Sequence, residues 1–219
     1  MIKLDAIPIS TKKVFEILSE VKFISDYSLV GGTALALQIG HRKSEDLDFI
    51  FDNETINNAQ IKRNINKLFE GNYKIIKDDK DYQIDFVIHN VKVTFFSTGA
   101  VIIPFRVKEY TTKYKELNIA NIDIIAVLKI ATISQRNTIR DYYDLYKIAK
   151  NHMPLKDIYS LSKKMLPHLS PITYSETIIY DADIEEGSIS AHLEPDENIS
   201  KQDITLFFQK EIIKIKNSI

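Results

Sequence analysis

The chain has 219 residues, 44% of them hydrophobic and 27% charged, which suits one large domain or two small ones with a substantial core. A net charge of −1 gives no global basic field for nucleic acid, although a local patch would serve an RNA substrate, and the absence of cysteine excludes disulfides, thiolate zinc and cysteine nucleophiles. No apolar run approaches the about 20 residues that span a bilayer, and Met1 to Pro8 lacks the apolar segment of a signal peptide, so a soluble cytoplasmic protein is expected.

Ser10 or Thr11 is placed to cap a first helix whose apolar positions are Val14, Phe15, Ile17, Leu18 and Val21. Tyr27 to Val30 reads as a short strand, Thr33 to Ile39 as a helix ending near Gly40, and Leu47 to Phe51 as a buried central strand. A helix is predicted over Thr55 to Glu70, with Ile56, Ile61, Ile65, Leu68 and Phe69 inward and Gly71 as its stop. Strands follow at Tyr73 to Lys77, Tyr82 to His89 and Val91 to Phe96, the last two joined by a tight turn at His89-Asn90. Val101 to Val107 reads as an edge strand because of Pro104. Lys108, Lys113 and Lys115, interleaved with Tyr110 and Tyr114, suit a solvated connector or a nucleic-acid backbone contact.

From Asn121 the pattern is helical: Ile122 to Gln135, Thr138 to Lys150, Pro154 to Met165, Pro171 to Tyr180 and Gln202 to Lys216. The acidic segment Asp181 to Ser200 reads as a loop. An α/β half of residues 1–110 thus precedes a helical half of residues 111–219, with a catalytic cleft expected between them.

Val30-Gly31-Gly32-Thr33, followed by Asp46-Leu47-Asp48-Phe49, is the most informative pattern. Glycine lets a backbone adopt positive φ and approach an anion, and the opening turn of the next helix offers free N–H groups and a favourable dipole. Asp46 and Asp48, two apart beside Leu47, would point the same way on a strand. Two hard oxygen ligands beside a phosphate cradle suit a magnesium–nucleotide site. Lys129 lies in a helix that is apolar almost all round, so it either snorkels to solvent or reaches into a cleft. Asp141 and Asp144 share a helical face near Arg136 and Arg140, as polar groups at a nucleotide or as an intrahelical ion-pair cluster. The histidines show no metal-ligand spacing, and Tyr142, Tyr143 and Tyr146 suit base stacking or helix packing.

Val30-Gly31-Gly32 with Asp46-Leu47-Asp48-Phe49 resembles the signature of the polymerase-β-like nucleotidyltransferase superfamily. Gly31-Gly32-Thr33-Ala34-Leu35, then Arg42-x-Ser44-x-Asp46-Leu47-Asp48-Phe49, resembles more closely the AbiEii-type nucleotidyltransferases, known chiefly as toxins. A second block agrees: Asp123 to Lys129, Gln135-Arg136, and Arg140-Asp141-Tyr142-Tyr143-Asp144-Leu145-Tyr146 match in order and separation the family's helical lysine and Asp-x-x-Asp motifs. The closing Phe207-Phe208 segment is similar to the family's last helix, so the resemblance spans nearly the whole chain.

The resemblance implies an α+β fold: a polymerase-β-like mixed sheet with flanking helices, followed by a C-terminal helical bundle. It implies that Asp46 and Asp48 hold Mg²⁺ or Mn²⁺, that Gly31, Gly32 and Thr33 form the phosphate-facing turn, and that Lys129 meets the triphosphate. Arg42 and Ser44 either touch phosphate or, for Arg42, fix the carboxylates. Asp141 would be a polar or base-like group with Asp144 supporting it, and Arg136 a phosphate ligand or a partner of Asp141. One position departs from the superfamily pattern. Where a third strand carboxylate is expected stands Thr94, leaving Asp85, Asp141 or no residue as the base. Asp85 itself reads either as that base or as a solvent-facing strand carboxylate. The implied activity is transfer of an NMP from an NTP to a hydroxyl of RNA (a tRNA end first) or of a protein, by a toxin with a cognate antitoxin, as in phage-abortive systems. A nucleotide-binding module without turnover and a γ-phosphotransferase are the alternatives.

Overall fold

The computed structural model describes residues 2–136, 138–180 and 194–216. The chain folds as two compact units, Met1–Asn121 and Ile122–Ile219.

The first unit opens with helix α1 (Ile9–Ser19). It is not capped by a side chain: Pro8 stands at its N-cap, and the Thr11 hydroxyl donates instead to the Glu45 carbonyl at 2.8 Å. Strand β1 (Tyr27–Val30) leads into helix α2 (Gly31–Ile39), which starts two residues before the predicted Thr33 and closes on left-handed Gly40. Strand β2 (Leu47–Phe51) follows as predicted. Helix α3 (Asn58–Phe69) begins later than the predicted Thr55, because the Asn57 side chain accepts from the Gln60 N–H and so caps it.

Strands β3 (Tyr73–Asp79), β4 (Gln83–Ile88) and β5 (Val91–Ser97) form a meander. His89 and Asn90 both take positive φ, so the tight turn forms without glycine.

The predicted strand over Val101 to Val107 is absent. A short helix α4 (Thr98–Val101) fills its start, Ile102 turns left-handed, and the Asp52 carboxylate accepts from the Val107 and Lys108 N–H groups at 2.9 and 2.8 Å. In the next segment Lys108, Lys113 and Lys115 are solvent-exposed as expected, but the chain there is more than a connector. It forms strands β6 (Thr111–Tyr114) and β7 (Leu117–Ala120), with β7 fully buried. This hairpin extends the first unit beyond the expected boundary near residue 110.

The sheet has the order β3-β4-β5-β2-β1-β7-β6. β2 lies parallel to β5 and antiparallel to β1, and β7 lies parallel to β1, so the sheet is mixed. Alternation along the strands sends Phe49, Phe95 and Phe86 to the core face. There Phe49 stacks on Phe95 at 5.1 Å between ring centroids. Residues of opposite parity, including Asp48, Thr94 and Asp85, point to the other face.

The second unit is helical: α5 (Ile122–Ile133), α6 (Ile139–Asn151), α7 (Leu155–Met165), α8 (Pro171–Ile179) and α9 (Lys201–Lys216). Helix α5 is buried on nearly every side and packs against α6, α7 and α8, which is why its sequence shows no polar face. Tyr142, Tyr143 and Tyr146 pack inside this unit, their hydroxyls donating to the Thr177 carbonyl, Asp196 and Glu197. Part of the predicted loop, residues 181–193, lies outside the described residues. Among the described residues, no helix is long and apolar enough to cross a membrane.

Candidate functional site

In the first unit, β1 delivers the chain to Gly31, whose φ of 72° is a left-handed conformation that a β-carbon would strain. Asp48 lies opposite Val30 in the β1–β2 ladder, one residue from that turn. Its Oδ2 stands 3.2 Å from the point a Gly31 β-carbon would take. The diglycine turn and the strand carboxylate are therefore in one place. Asp46, one residue ahead of β2, is partly exposed like Asp48.

Gly32 is glycine for a different reason. A β-carbon there would overlap Arg42 Nη2 and lie 3.2 Å from Ser44 Oγ. Arg42 is only 5% exposed and donates from Nη1 to the Lys43 carbonyl at 2.8 Å, so its guanidinium is packed beneath the turn. Thr33, also buried, donates to Ser44 Oγ at 2.8 Å and to the Asp46 carbonyl. The hydroxyls of Thr33 and Ser44 thus fasten the first turn of α2 to the segment entering β2. Sequence reading placed these residues at the site but not this bracing role.

The β2–β5–β4 registers set Asp48, Thr94 and Asp85 in one row across the sheet. Asp85 does not face solvent freely. It is buried, accepts from Gln83 Nε2 at 2.7 Å and pairs with Lys92 at 3.4 Å. Thr94 Oγ1 is buried without a hydrogen-bond partner.

In the second unit Lys129 is buried, which removes the snorkelling alternative. Its Nζ donates to Asp141 Oδ1 at 2.7 Å and to Asp144 Oδ2 at 2.5 Å. Asp141 also accepts from Arg136 Nε at 3.1 Å and from the Thr138 hydroxyl at 2.6 Å. Burial works to raise the Asp141 pKa, but Lys129 and Arg136, with the hydrogen bonds of Lys129 and Thr138, outweigh it and hold it below the usual carboxylate value. Two cations and two carboxylates balance here. A lone lysine in an otherwise apolar helix needs a buried counter-charge, and two aspartates one turn apart on the next helix were the sequence signal for it.

The donor set at Asp46 and Asp48 suits Mg²⁺, which binds through one or two carboxylates and keeps its other positions for water and phosphate oxygens. Among the described residues, no cluster of three or more His, Cys, Asp or Glu side chains forms a closed metal cage.

Known structures share this fold. The crystal structure of JHP933 from Helicobacter pylori superposes with a TM-score of 0.52 at 18% identity, covering 100% of this chain and 96% of that one. MenT4, the nucleotidyltransferase toxin Rv2826c of Mycobacterium tuberculosis H37Rv, gives a TM-score of 0.51 at 13% identity over 95% of this chain and 86% of that one. An uncharacterised protein of Aquifex aeolicus (strain VF5) is 27% identical over 205 residues, 92% of this chain and 93% of that protein. Residues 13–210 match the family described as "Nucleotidyl transferase AbiEii toxin, Type IV TA system". With the diglycine turn set against Asp48 and the match running through both units, this chain belongs to the AbiEii nucleotidyltransferase toxin family.

Proposed function

We propose that this chain is a Mg²⁺-dependent nucleotidyltransferase that moves an NMP from an NTP onto a hydroxyl of RNA, with a tRNA end the first candidate and a protein side chain the second. The observation carrying this reading is the Asp48 carboxylate standing beside the left-handed Gly31 at the start of α2, 3.2 Å from where a β-carbon would lie. A helix N-terminus attracts the phosphates while the adjacent carboxylates attract the cation that accompanies them. Asp46 and Asp48 hold Mg²⁺ (Mn²⁺ can replace it). When bound, the ion supplies charge neutralisation for the departing pyrophosphate.

Arg42, Ser44 and Thr33 keep the turn and the acid strand in register. Lys129, Arg136, Asp141 and Asp144 are assigned to the nucleotide by family resemblance. Lys129 starts neutralised by two carboxylates, so engaging an anion requires it to share or exchange those partners. As a member of a toxin family the protein would act against growth, be restrained by an antitoxin, and serve phage defence in the cytoplasm.

The test is incubation with each of the four NTPs, labelled in turn at the α- and γ-phosphate, with total RNA, protein and Mg²⁺. Transfer of α-label that disappears in Asp46→Ala with Asp48→Ala supports the reading. Transfer of γ-label would make the protein a phosphotransferase. NTP binding without any transfer would make it a regulatory module, the reading that Thr94 in place of a strand carboxylate favours.

A further inference from the structure

The sheet carries a buried hydroxyl that folding does not use. Thr94 sits between Val93 and Phe95 on β5, both fully buried on the core face, and is itself only 5% exposed. Its Oγ1 has neither solvent nor a hydrogen-bond partner. A buried hydroxyl left in that state destabilises a protein, and valine would fill the same volume and favour the strand equally well. Such an exception calls for an explanation in use rather than in packing.

The two ladders supply one. On one side Thr94 is in register with Asp48 of β2, and on the other with Asp85 of β4. Side chains directly opposite in neighbouring strands share a face, with β-carbons about 5 Å apart. The hydroxyl's position in the sheet therefore lies between the site carboxylate and a second, buried carboxylate, on the same face as both. Asp85 is held in place by Gln83 Nε2 on Oδ1 and by Lys92 beside Oδ2, and each oxygen can accept a further hydrogen bond. Lys77 of β3, opposite Asp85 in the next ladder, donates to Gln83 Oε1 at 2.8 Å and completes the row.

Resting on the nucleotidyl-transfer reading, we propose that Thr94 and Asp85 form the proton-accepting arm of the site. The acceptor hydroxyl enters beside Asp48. As its oxygen bonds to the α-phosphorus, its proton moves to Thr94 Oγ1 and the Thr94 proton moves to the Asp85 carboxylate. The bond from the α-phosphorus to the bridging oxygen breaks, and pyrophosphate leaves with that electron pair. As the site empties, Asp85 gives up its proton back through Thr94, which passes its own to water or to the departing pyrophosphate, so that Thr94 is again a neutral hydroxyl and Asp85 again a carboxylate. The row explains why the strand position nearest Asp48 carries a hydroxyl while the carboxylate stands one strand further out.

The experiment compares the full chain with Thr94→Val, Thr94→Ser, Asp85→Asn and the double variant Thr94→Val with Asp85→Asn. Melting temperature, NTP affinity and transfer of α-label are measured for each. Thr94→Val is expected to melt at or above the parent temperature, bind NTP with parent affinity, and lose about a hundredfold or more in transfer. Thr94→Ser restores most of the rate, Asp85→Asn matches Thr94→Val, and the double variant is no slower than either single one, as for residues acting in series. Parent-like transfer by Thr94→Val or Asp85→Asn overturns the proposal. So does a lower melting temperature for Thr94→Val that Thr94→Ser repairs, since that assigns the hydroxyl to folding. If the parent transfers no α-label to any acceptor, the nucleotidyl-transfer reading itself fails and this arm fails with it.

Discussion

Asp48 Oδ2 occupies the space directly over Gly31, 3.2 Å from where a β-carbon would begin, at a residue whose φ is 72°. Two independent costs therefore fall on any side chain at position 31: left-handed backbone strain, and displacement of a site carboxylate.

Gly31→Ala is expected to lose roughly 1–2 kcal/mol of stability from the left-handed backbone alone, measured by urea unfolding. It should also lose Mg²⁺-dependent NTP affinity, because Asp48 must move. Gly32→Ala tests the neighbouring contact. Its β-carbon would push Arg42 out of its buried seat, so it should weaken stability without the φ penalty. Unchanged NTP binding by Gly31→Ala would separate the turn from the site.

Asp46→Asn and Asp48→Asn should each abolish transfer at saturating NTP, because an ion held at these carboxylates, as proposed, would act on the transition state rather than on substrate capture alone. Single-turnover assays with α-labelled NTP check this. Near-parent rates in either variant would remove that residue from the metal site.

Lys129→Ala is expected to destabilise the second unit by about 3–5 kcal/mol, since Asp141 and Asp144 would remain buried without their cation. The two carboxylates on its amine make this lysine a part of the fold as well as a candidate nucleotide contact. A triple variant, Lys129→Met with Asp141→Asn and Asp144→Asn, should recover much of the loss because no buried charge is left uncompensated. Thermal denaturation of the two variants separates the fold effect from nucleotide binding, which is measured on the triple variant.

Asp141 carries a pH signature. Its folded pKa lies below the unfolded value of 3.8. Its stabilisation is therefore fully present well above 3.8. It declines as pH falls through that value, where the unfolded chain takes up the proton first, and is gone once the folded carboxyl titrates. The stability difference between the parent and Asp141→Asn should be constant near neutral pH and shrink below about pH 4, followed by chemical denaturation.

The parts of the fold legible in sequence were those set by local pattern. Leu47 to Phe51 read as a buried strand because four of its five residues are apolar, and α5 read as buried because its apolar residues leave no polar face. The β6–β7 hairpin was missed because Thr111 to Tyr114 is polar and Leu117 to Ala120 is short. What makes β7 a strand is pairing with β1 about ninety positions earlier, together with Asn118 Nδ2 donating to the Ser25 and Tyr27 carbonyls at 2.9 and 3.0 Å. Such long-range partners leave no periodic trace. At the candidate site, the glycines and the aspartates were visible as residue types. The bracing by Arg42, Ser44 and Thr33 was not, since a buried arginine under a turn looks in sequence like an exposed one beside a phosphate.

The Thr33 hydroxyl, shared between Ser44 and the Asp46 main chain, welds the start of α2 to the segment that carries the paired aspartates. Immobilising them is completed while the polypeptide matures, so an arriving nucleotide need not spend its own affinity on ordering a floppy loop. The turn is in that sense set in advance, by hydroxyl chemistry well behind the surface that a ligand would touch.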